Sequence, residues 1–457
     1  MQYIEALHFL QQRDDWERTG SPAAADRWDL RRMRSLLARL GDPHLGRRTV
    51  HVAGSKGKGS VAAMAASVLQ QAGLRTGLYT SPHLHRFVER IAIDGEAIAP
   101  EEFGRLLGQV WPQIEAEDAD GTYGAISTFE ALTALAFVTF RERGVEAQVL
   151  EVGLGGRLDA TNVLDTKDVC VITPVSLEHT AVLGDTVGQI AAEKAGIITP
   201  GATVIMAPQR ESAADVIRAV CTERGAELIE TARACALSRT KHPPKADDGQ
   251  EFSLRTPRAT YKLRLPLLGR HQLDNAATAV LAIEALGMEI DEVTLREGLA
   301  AVKWPCRIEL LKSARGGPLV IADGAHNRDS ARRLVQTLRD DLGVREAVLV
   351  AGCSDDKDLG ALAEELTPIA THVIATRSRH PRSRDARAVA QAFAERELPV
   401  AVEEPAGAAV DAALAQAGPG AVVVCGSLFV AAEAREHVLG VAYDPLLAAR
   451  RESQVGV

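Results

Sequence analysis

The chain has 457 residues, 46% of them hydrophobic and 25% charged, which suits two to three soluble domains with full cores. A net charge of −9 argues against a nucleic-acid surface as the main business, while leaving room for a local basic pocket. No window reaches the roughly 18 apolar residues a membrane helix needs. The start, Met1 to His8, lacks the basic and apolar regions of a signal peptide. The cysteines at 170, 221, 235, 306, 353 and 425 are too scattered for a metal pair or a disulfide framework. A reducing, cytoplasmic setting is expected.

In chain order, residues 2–13 and 28–40 read as amphipathic helices, with a loop over 19–25 between them. Leu30, Met33, Leu36, Leu37 and Leu40 form one face, and Arg31, Arg32, Arg34 and Arg39 are expected on the solvated side. Thr49 to Ala53 is a short apolar run, read as a buried strand. Gly54, Gly57 and Gly59 let the backbone turn with its amides inward, and a helical pattern runs from Ser60 to its stop at Gly73. A strand, a glycine loop and a helix start in that order favour an anion. Lys58 would reach the terminal phosphates of a nucleotide, and the Ser60 hydroxyl would hold magnesium. The spacing departs from the usual phosphate-loop pattern, with Val52 at the first glycine position and Gly59 after Lys58, so an ordinary turn is the competing reading.

A strand over Thr76–Thr80 leads into Ser81-Pro-His-Leu-His-Arg-Phe-Val-Glu-Arg-Ile91, and a helix is predicted from Pro100. The acidic Glu115, Glu117, Asp118 and Asp120 read as a solvated face. Ser127 with Glu130 fits a capping box opening an apolar helix through Phe140. The strand Ala147–Val152 carries Glu151 among apolar residues, which is costly unless the carboxylate binds metal or finds a cation such as Arg157. A strand over Val169–Thr173 precedes Glu178-His179, where a lone histidine is either structural or a ligand. Lys194 sits in a short apolar helix, so its amine should be depressed in pKa and open to reaction with carbon dioxide. Strands and helices alternate over 203–237, and 238–262 is a polar, hairpin-bearing excursion. Asn275, near the start of an alanine-rich helix, reads as a cap or a core amide. After Trp304-Pro-Cys-Arg307, strand–helix units with strands near 319–322, 347–351, 372–376, 400–402 and 421–425 describe a second, smaller α/β sheet, with Asp323-Gly-Ala-His-Asn327 at its first strand end.

Six or more of these strings, spread over about residues 28–436, resemble the Mur ligase superfamily, most closely its folylpolyglutamate synthase and dihydrofolate synthase family. That family's Gly-Thr-Asn-Gly-Lys-Gly loop appears here with Ser55 and Lys56 for Thr and Asn. Its Asp-His appears as Glu178-His179, and its Pro-Gly-Arg as Pro305-Cys306-Arg307. Ser-Pro-His-Leu, Gly-Leu-Gly-Gly-Arg-Leu-Asp-Ala-Thr-Asn and Leu-Gly-x-His-Gln-x-x-Asn-Ala stand as the family has them.

The resemblance implies an α/β fold: an N-terminal P-loop-type Mur-ligase ATPase domain over 1–306 with a folate pocket, and a smaller C-terminal Rossmann-like domain over 307–457. It implies an ATP-dependent ligase that adds L-glutamate to dihydropteroate, to folate (poly)glutamates, or to both, through an acyl phosphate. It gives catalytic roles to Lys58, His179, Lys194 and Arg307, and nucleotide contacts to Gly57, Lys58, Gly59, Ser60, Asn275, Arg307, Asp323 and His326. Ser60, Ser81, Glu151 and His179 would hold two Mg2+ ions beside a carbamylated Lys194. Thr128, Phe129, Arg157 and Asp159 would line the pteroyl site, with Trp28 and Asp29 near the pterin. A monomer with small-molecule substrates, and no nucleic-acid or membrane partner, is expected. A cell-wall Mur ligase would share the loop and metal ligands, but the Ser-Pro-His-Leu and Gly-Gly-Arg-Leu-Asp strings speak against it. A dinucleotide-dependent dehydrogenase or nucleotide sensor would not explain Lys58, Glu151 and His179 together.

Overall fold

The computed structural model describes residues 1–20, 28–239, 249–311, 318–418 and 420–444. Most of the loop expected at 19–25, and part of the excursion at 238–262, lie outside them. The first sheet is built from β1 (Arg48–Ala53), β2 (Thr76–Tyr79), β3 (Ile91–Ile93), β4 (Glu96–Ala97), β5 (Ala147–Glu151), β6 (Val169–Ile172), β7 (Thr203–Met206) and β8 (Glu227–Glu230), in the order β4-β3-β2-β5-β1-β6-β7-β8. Its strands run parallel except at the β2–β3–β4 edge. β1 lies between β5 and β6 and is buried along all but its first residue, as a parallel strand covered on both faces must be. Val52 pairs with Glu151 and Ala53 with Ile172, so the loops after β1, β5 and β6 leave the sheet side by side.

The helix Lys58–Gln71 follows β1 and is buried on most of its surface. Helices Arg270–Ala285 and Glu292–Ala300 share its apolar cluster. A small antiparallel sheet of β9 (Ala236–Arg239), β10 (Gln250–Arg255) and β11 (Thr260–Leu265) covers the same side.

The second sheet comprises β12 (Glu309–Leu311), β13 (Leu319–Ala322), β14 (Ala347–Ala351), β15 (Ala370–Ala375), β16 (Val400–Val402) and β17 (Ala421–Cys425), ordered β12-β13-β17-β14-β15-β16. Only β12 is antiparallel. Separate apolar clusters fill its two faces.

The segment joining the sheets carries two L-residues in the left-handed region, Cys306 at φ 57° and Ile308 at φ 51°. Cys306 thus holds a backbone that glycine adopts freely, at a strain cost of about 1–2 kcal/mol for a side-chain-bearing residue. Arg307 sits between the two, and Asp323 accepts the Ile308 N–H at 2.8 Å.

Part of the arginine and acidic faces expected in water is paired and buried instead, while Arg31, Arg34 and Asp120 keep exposed side chains. Arg32 is buried against Glu130 at 2.7 Å. Glu117 is 2% exposed and accepts from Ser35 and Arg39, while Asp118 accepts from Arg13. Charged residues on two amphipathic helices are free to pair across a helix contact that periodicity alone cannot reveal.

Candidate active site

The C-terminal ends of β1, β5, β6 and β13 face one cavity of about 840 Å³, lined by residues from both sheets. Such strand ends collect ligands in parallel α/β sheets because the loops and helix N-termini converge there. The wall holds carboxylates and cations in equal number, with Lys56 and Lys58 on the glycine loop and Arg307, Arg333 and Lys357 contributed from the second half of the chain. Cations placed beside a glycine loop suit a phosphate.

The glycine loop is shaped by close approach. Gly57 has φ 89° and caps the helix that Lys58 begins. A Cβ on it would lie 2.6 Å from the Asn275 carboxamide, and one on Gly59 would lie 2.5 Å from Trp304. Asn275 is thus a buried amide, not a cap: it lies inside the helix Arg270–Ala285, and its Nδ2 donates to Gln272. Lys58, Gly59 and Ser60 bring their free N–H groups to the cavity wall.

Glu151 ends β5 and is 5% exposed. Among the described residues its carboxylate accepts one hydrogen bond, a long one from the Ser81 N–H at 3.3 Å. It makes no ion pair among the described residues, and Arg157 turns outward to Glu193. Burial pushes its carboxyl up to about 7, with the Lys58 charge as the main opposing influence. An under-partnered buried carboxylate, with the Ser60 and Ser81 residues in the same wall, offers the hard oxygen donors that a magnesium ion takes. No group of three or more His, Cys, Asp or Glu residues gathers as a metal cage among the described residues.

After β6, Glu178 and His179 enter the wall, and His179 starts a short helix at φ 48°. Burial lowers the imidazole to about 4, so it is neutral and its lone pair can bind a metal. Lys194 is 2% exposed, with its ammonium 3.1 Å from Glu178 Oε1 and 2.9 Å from the Gly54 carbonyl. Burial lowers its pKa as the apolar helix predicts, but Glu178 opposes that shift, a partner the local sequence did not show.

From the second sheet, Arg307 lines the cavity with one guanidinium N–H on the Cys306 carbonyl. Asp323 has both oxygens on backbone N–H groups, those of Ile308 and Ala325. It braces the loop that presents His326.

The expected pteroyl residues divide. Phe129 lines the cavity, together with Trp16, Trp28, Asp29 and Tyr123. Asp159 lines it too, but its oxygens accept from Gly153 N, Leu154 N, Thr161 N and Thr161 Oγ1. Thr161 in turn lies 2.8 Å from His51 Nε2, so Asp159 organises the loop more than it offers lone pairs. Thr128 and Arg157 are not among the described residues of the cavity wall. The Thr128 hydroxyl is spent on the Leu10 carbonyl, and Arg157 is held outside by Glu193. Trp16 and Tyr123 were missed. Each is an isolated aromatic beside a loop, with no periodic or motif signal to mark it.

Two α/β units closing on a glycine loop, with Lys58, Arg307 and a buried carboxylate in one wall, define a nucleotide-using, group-transferring enzyme. The Mur ligase middle domain matches residues 52–283, and the Mur ligase glutamate ligase domain matches residues 306–428. A dihydrofolate synthase/folylpolyglutamate synthase of Bacillus subtilis is 38% identical over 347 residues, 75% of this chain and 79% of that protein. A probable bifunctional folylpolyglutamate synthase/dihydropteroate synthase of Haloferax volcanii is 36% identical over 454 residues, and the chain spans half of that protein's length. The solved structure of Mycobacterium tuberculosis folylpolyglutamate synthase complexed with ADP superposes with a TM-score of 0.87 at 34% identity, covering 97% of this chain and 99% of that one. The chain belongs to the Mur ligase family, in its dihydrofolate synthase/folylpolyglutamate synthase branch.

Proposed function

We propose that this cleft joins L-glutamate to the free carboxylate of a pteroyl substrate at the expense of ATP, and that dihydropteroate and reduced folates are both acceptors. The single observation carrying the reading is the convergence of the glycine loop, Glu151 and Arg307 on one cavity that also has Trp16, Trp28, Tyr123 and Phe129 in its wall. Cations and free N–H groups suit phosphates, and aromatic faces suit a flat heterocycle. The names of the relatives support both acceptors. Cleavage of the γ-phosphate and its transfer to the acceptor carboxylate give an acyl phosphate. The glutamate amine then attacks the acyl carbon, and inorganic phosphate leaves.

In this reading Lys58 and Arg307 neutralise charge on the phosphoryl group in flight, where preorganised cations count most. Gly57, Gly59 and Ser60 cradle the phosphates, and Asn275, Asp323 and His326 belong to the nucleotide side. Ser60, Ser81 and Glu151 would hold one magnesium ion and His179 would serve a second. Bound there, magnesium supplies Lewis-acid neutralisation of phosphate oxygens. A carbamate on Lys194 would have to displace the Glu178 ion pair. ¹³C-bicarbonate labelling followed by NMR tests that part directly. The domain division at 306/307, a monomeric state and a cytoplasmic location belong to the same proposal. No helix among the described residues is long and apolar enough to cross a membrane.

The test is glutamate-dependent ADP formation from Mg-ATP, with dihydropteroate and tetrahydrofolate supplied separately. Turnover with each is expected. Turnover with tetrahydrofolate alone would remove the dihydrofolate synthase half, and turnover with neither would overturn the proposal.

A further inference from the structure

We propose that Lys56 is a positioning residue that latches the second domain over the glycine loop by donating a hydrogen bond to His326. The inference rests on the cleft being the ligase site described above, and it concerns a residue at which this chain departs from the family's loop.

The geometry fixes both partners. The N–H groups of Ser55 and Lys56 both donate to the Pro174 carbonyl, at 3.0 and 3.1 Å, which pins the loop beneath the lysine side chain. Lys56 Nζ lies 3.1 Å from His326 Nε2, across 270 residues of sequence. His326 Nδ1 lies 2.8 Å from the Gly324 carbonyl. A carbonyl only accepts, so Nδ1 carries the proton and Nε2 presents a bare lone pair to the ammonium. The imidazole is held from behind as well. Its backbone N–H donates to Ser330 Oγ, and the next residue, Asn327, caps the helix Arg328–Asp340.

The ammonium also has a counter-charge on its own side of the cleft. Glu178 Oε2 lies 3.7 Å from Lys56 Nζ, while Glu178 Oε1 takes Lys194 at 3.1 Å. Lys56 is therefore tied to the β1 loop by its backbone, to the β6 loop by Glu178, and to the second domain by His326. Its side chain is 18% exposed and Glu178's is 11%, so water competes weakly for these contacts. Two departures from the family's strings, Lys56 and Glu178, meet in one contact. The latch holds His326 in one tautomer and orientation, and holds the cleft shut while the acyl phosphate waits for glutamate.

The test uses the full chain and three variants, Lys56→Met, Lys56→Arg and His326→Gln, with the Lys56→Met/His326→Gln double variant. Small-angle scattering in the presence of AMPPCP reads domain spacing, calorimetry reads AMPPCP affinity, and steady-state assays read phosphate released per amide formed. Lys56→Met and His326→Gln should each widen the spacing, with the double variant no wider than either. In Lys56→Met, AMPPCP affinity should stay within about threefold, while kcat falls roughly tenfold and phosphate release outruns amide formation, the scale of one lost charge-assisted hydrogen bond. Lys56→Arg should restore most of the rate. Unchanged spacing in Lys56→Met would overturn the latch. So would a loss of AMPPCP affinity as large as the loss of kcat, which would make Lys56 a phosphate ligand. A parent chain with no ligase turnover, but with the spacing changes intact, would refute the proposed reaction and leave the latch standing.

Discussion

Glu151 is the residue on which stability and function most plainly pull apart. It is a buried carboxylate with one long hydrogen bond and no ion pair among the described residues. Such a group costs folding free energy that a neutral isostere would recover. The ligand-free Glu151→Gln variant should be more stable than the parent by on the order of 1–3 kcal/mol, and so unfold at a higher temperature. Its ligase activity should nevertheless fall at least a hundredfold. Thermal unfolding and ADP formation on the same preparations check this, and a variant that is both less stable and fully active would refute the metal role. Lys58→Met should leave the fold intact and lower kcat by about two to three orders of magnitude, the usual loss for one charge-stabilising donor. Glu151 was legible in the sequence because a lone charge in an apolar strand is conspicuous. The directions of Thr128 and Arg157 were not legible, because a motif fixes which residues are present, not which way they turn. The Leu10 carbonyl and Glu193 capture them from segments that are distant along the chain.

Among the elements, the contact between the helices Leu30–Arg39 and Thr128–Glu142 turns on the buried Arg32–Glu130 pair. Glu130 also closes the capping box with Ser127. Arg32→Met should cost about 3 kcal/mol or more, because it strands a carboxylate out of water. The double variant Arg32→Met/Glu130→Gln should recover part of that loss by removing the stranded charge. Equal losses in the single and double variants, by chemical denaturation, would show that packing and not charge dominates. Strands and helices were readable in the sequence because apolar periodicity, the glycine stops and the Ser127–Glu130 cap are local signals. The burial of Arg32 and Glu117 was not, since a charged residue's exposure depends on the helix that packs over it.

For the whole molecule, acid sensitivity follows from histidines that must stay neutral. His51 is fully buried and His83 is 7% exposed. Burial holds both well below the ordinary imidazole range, and the Arg90 charge adds to the effect at His83. In the unfolded chain each would take a proton near pH ~6.5. A folded pKa below the unfolded one means the folded state binds fewer protons. The stability contribution is therefore complete above that pH and is lost as pH falls below it, by about 1.4 kcal/mol per pH unit for each histidine. Between pH 6.5 and 5, His51→Asn should show a shallower fall of stability with pH than the parent, by one proton, whatever its absolute midpoint. Parallel slopes would contradict the assignment. The two-sheet plan was visible in the sequence as two successive runs of strand–helix units. What brings Lys56 to His326, or Glu151 and Arg307 to one wall, is the closure of one sheet on the other, and no local pattern encodes that.

Whether ATP is spent on activating a carboxylate is most directly tested by oxygen tracing. The γ-carboxylate of a tetrahydrofolate monoglutamate would be labelled with ¹⁸O and turned over with Mg-ATP and unlabelled glutamate in ordinary water. One labelled oxygen in each released phosphate is predicted, because the acceptor oxygen must leave with the phosphoryl group. Phosphate carrying only unlabelled oxygen would mean that water, not the acceptor carboxylate, takes the γ-phosphoryl group, and would contradict the assignment of this cleft as an amide ligase.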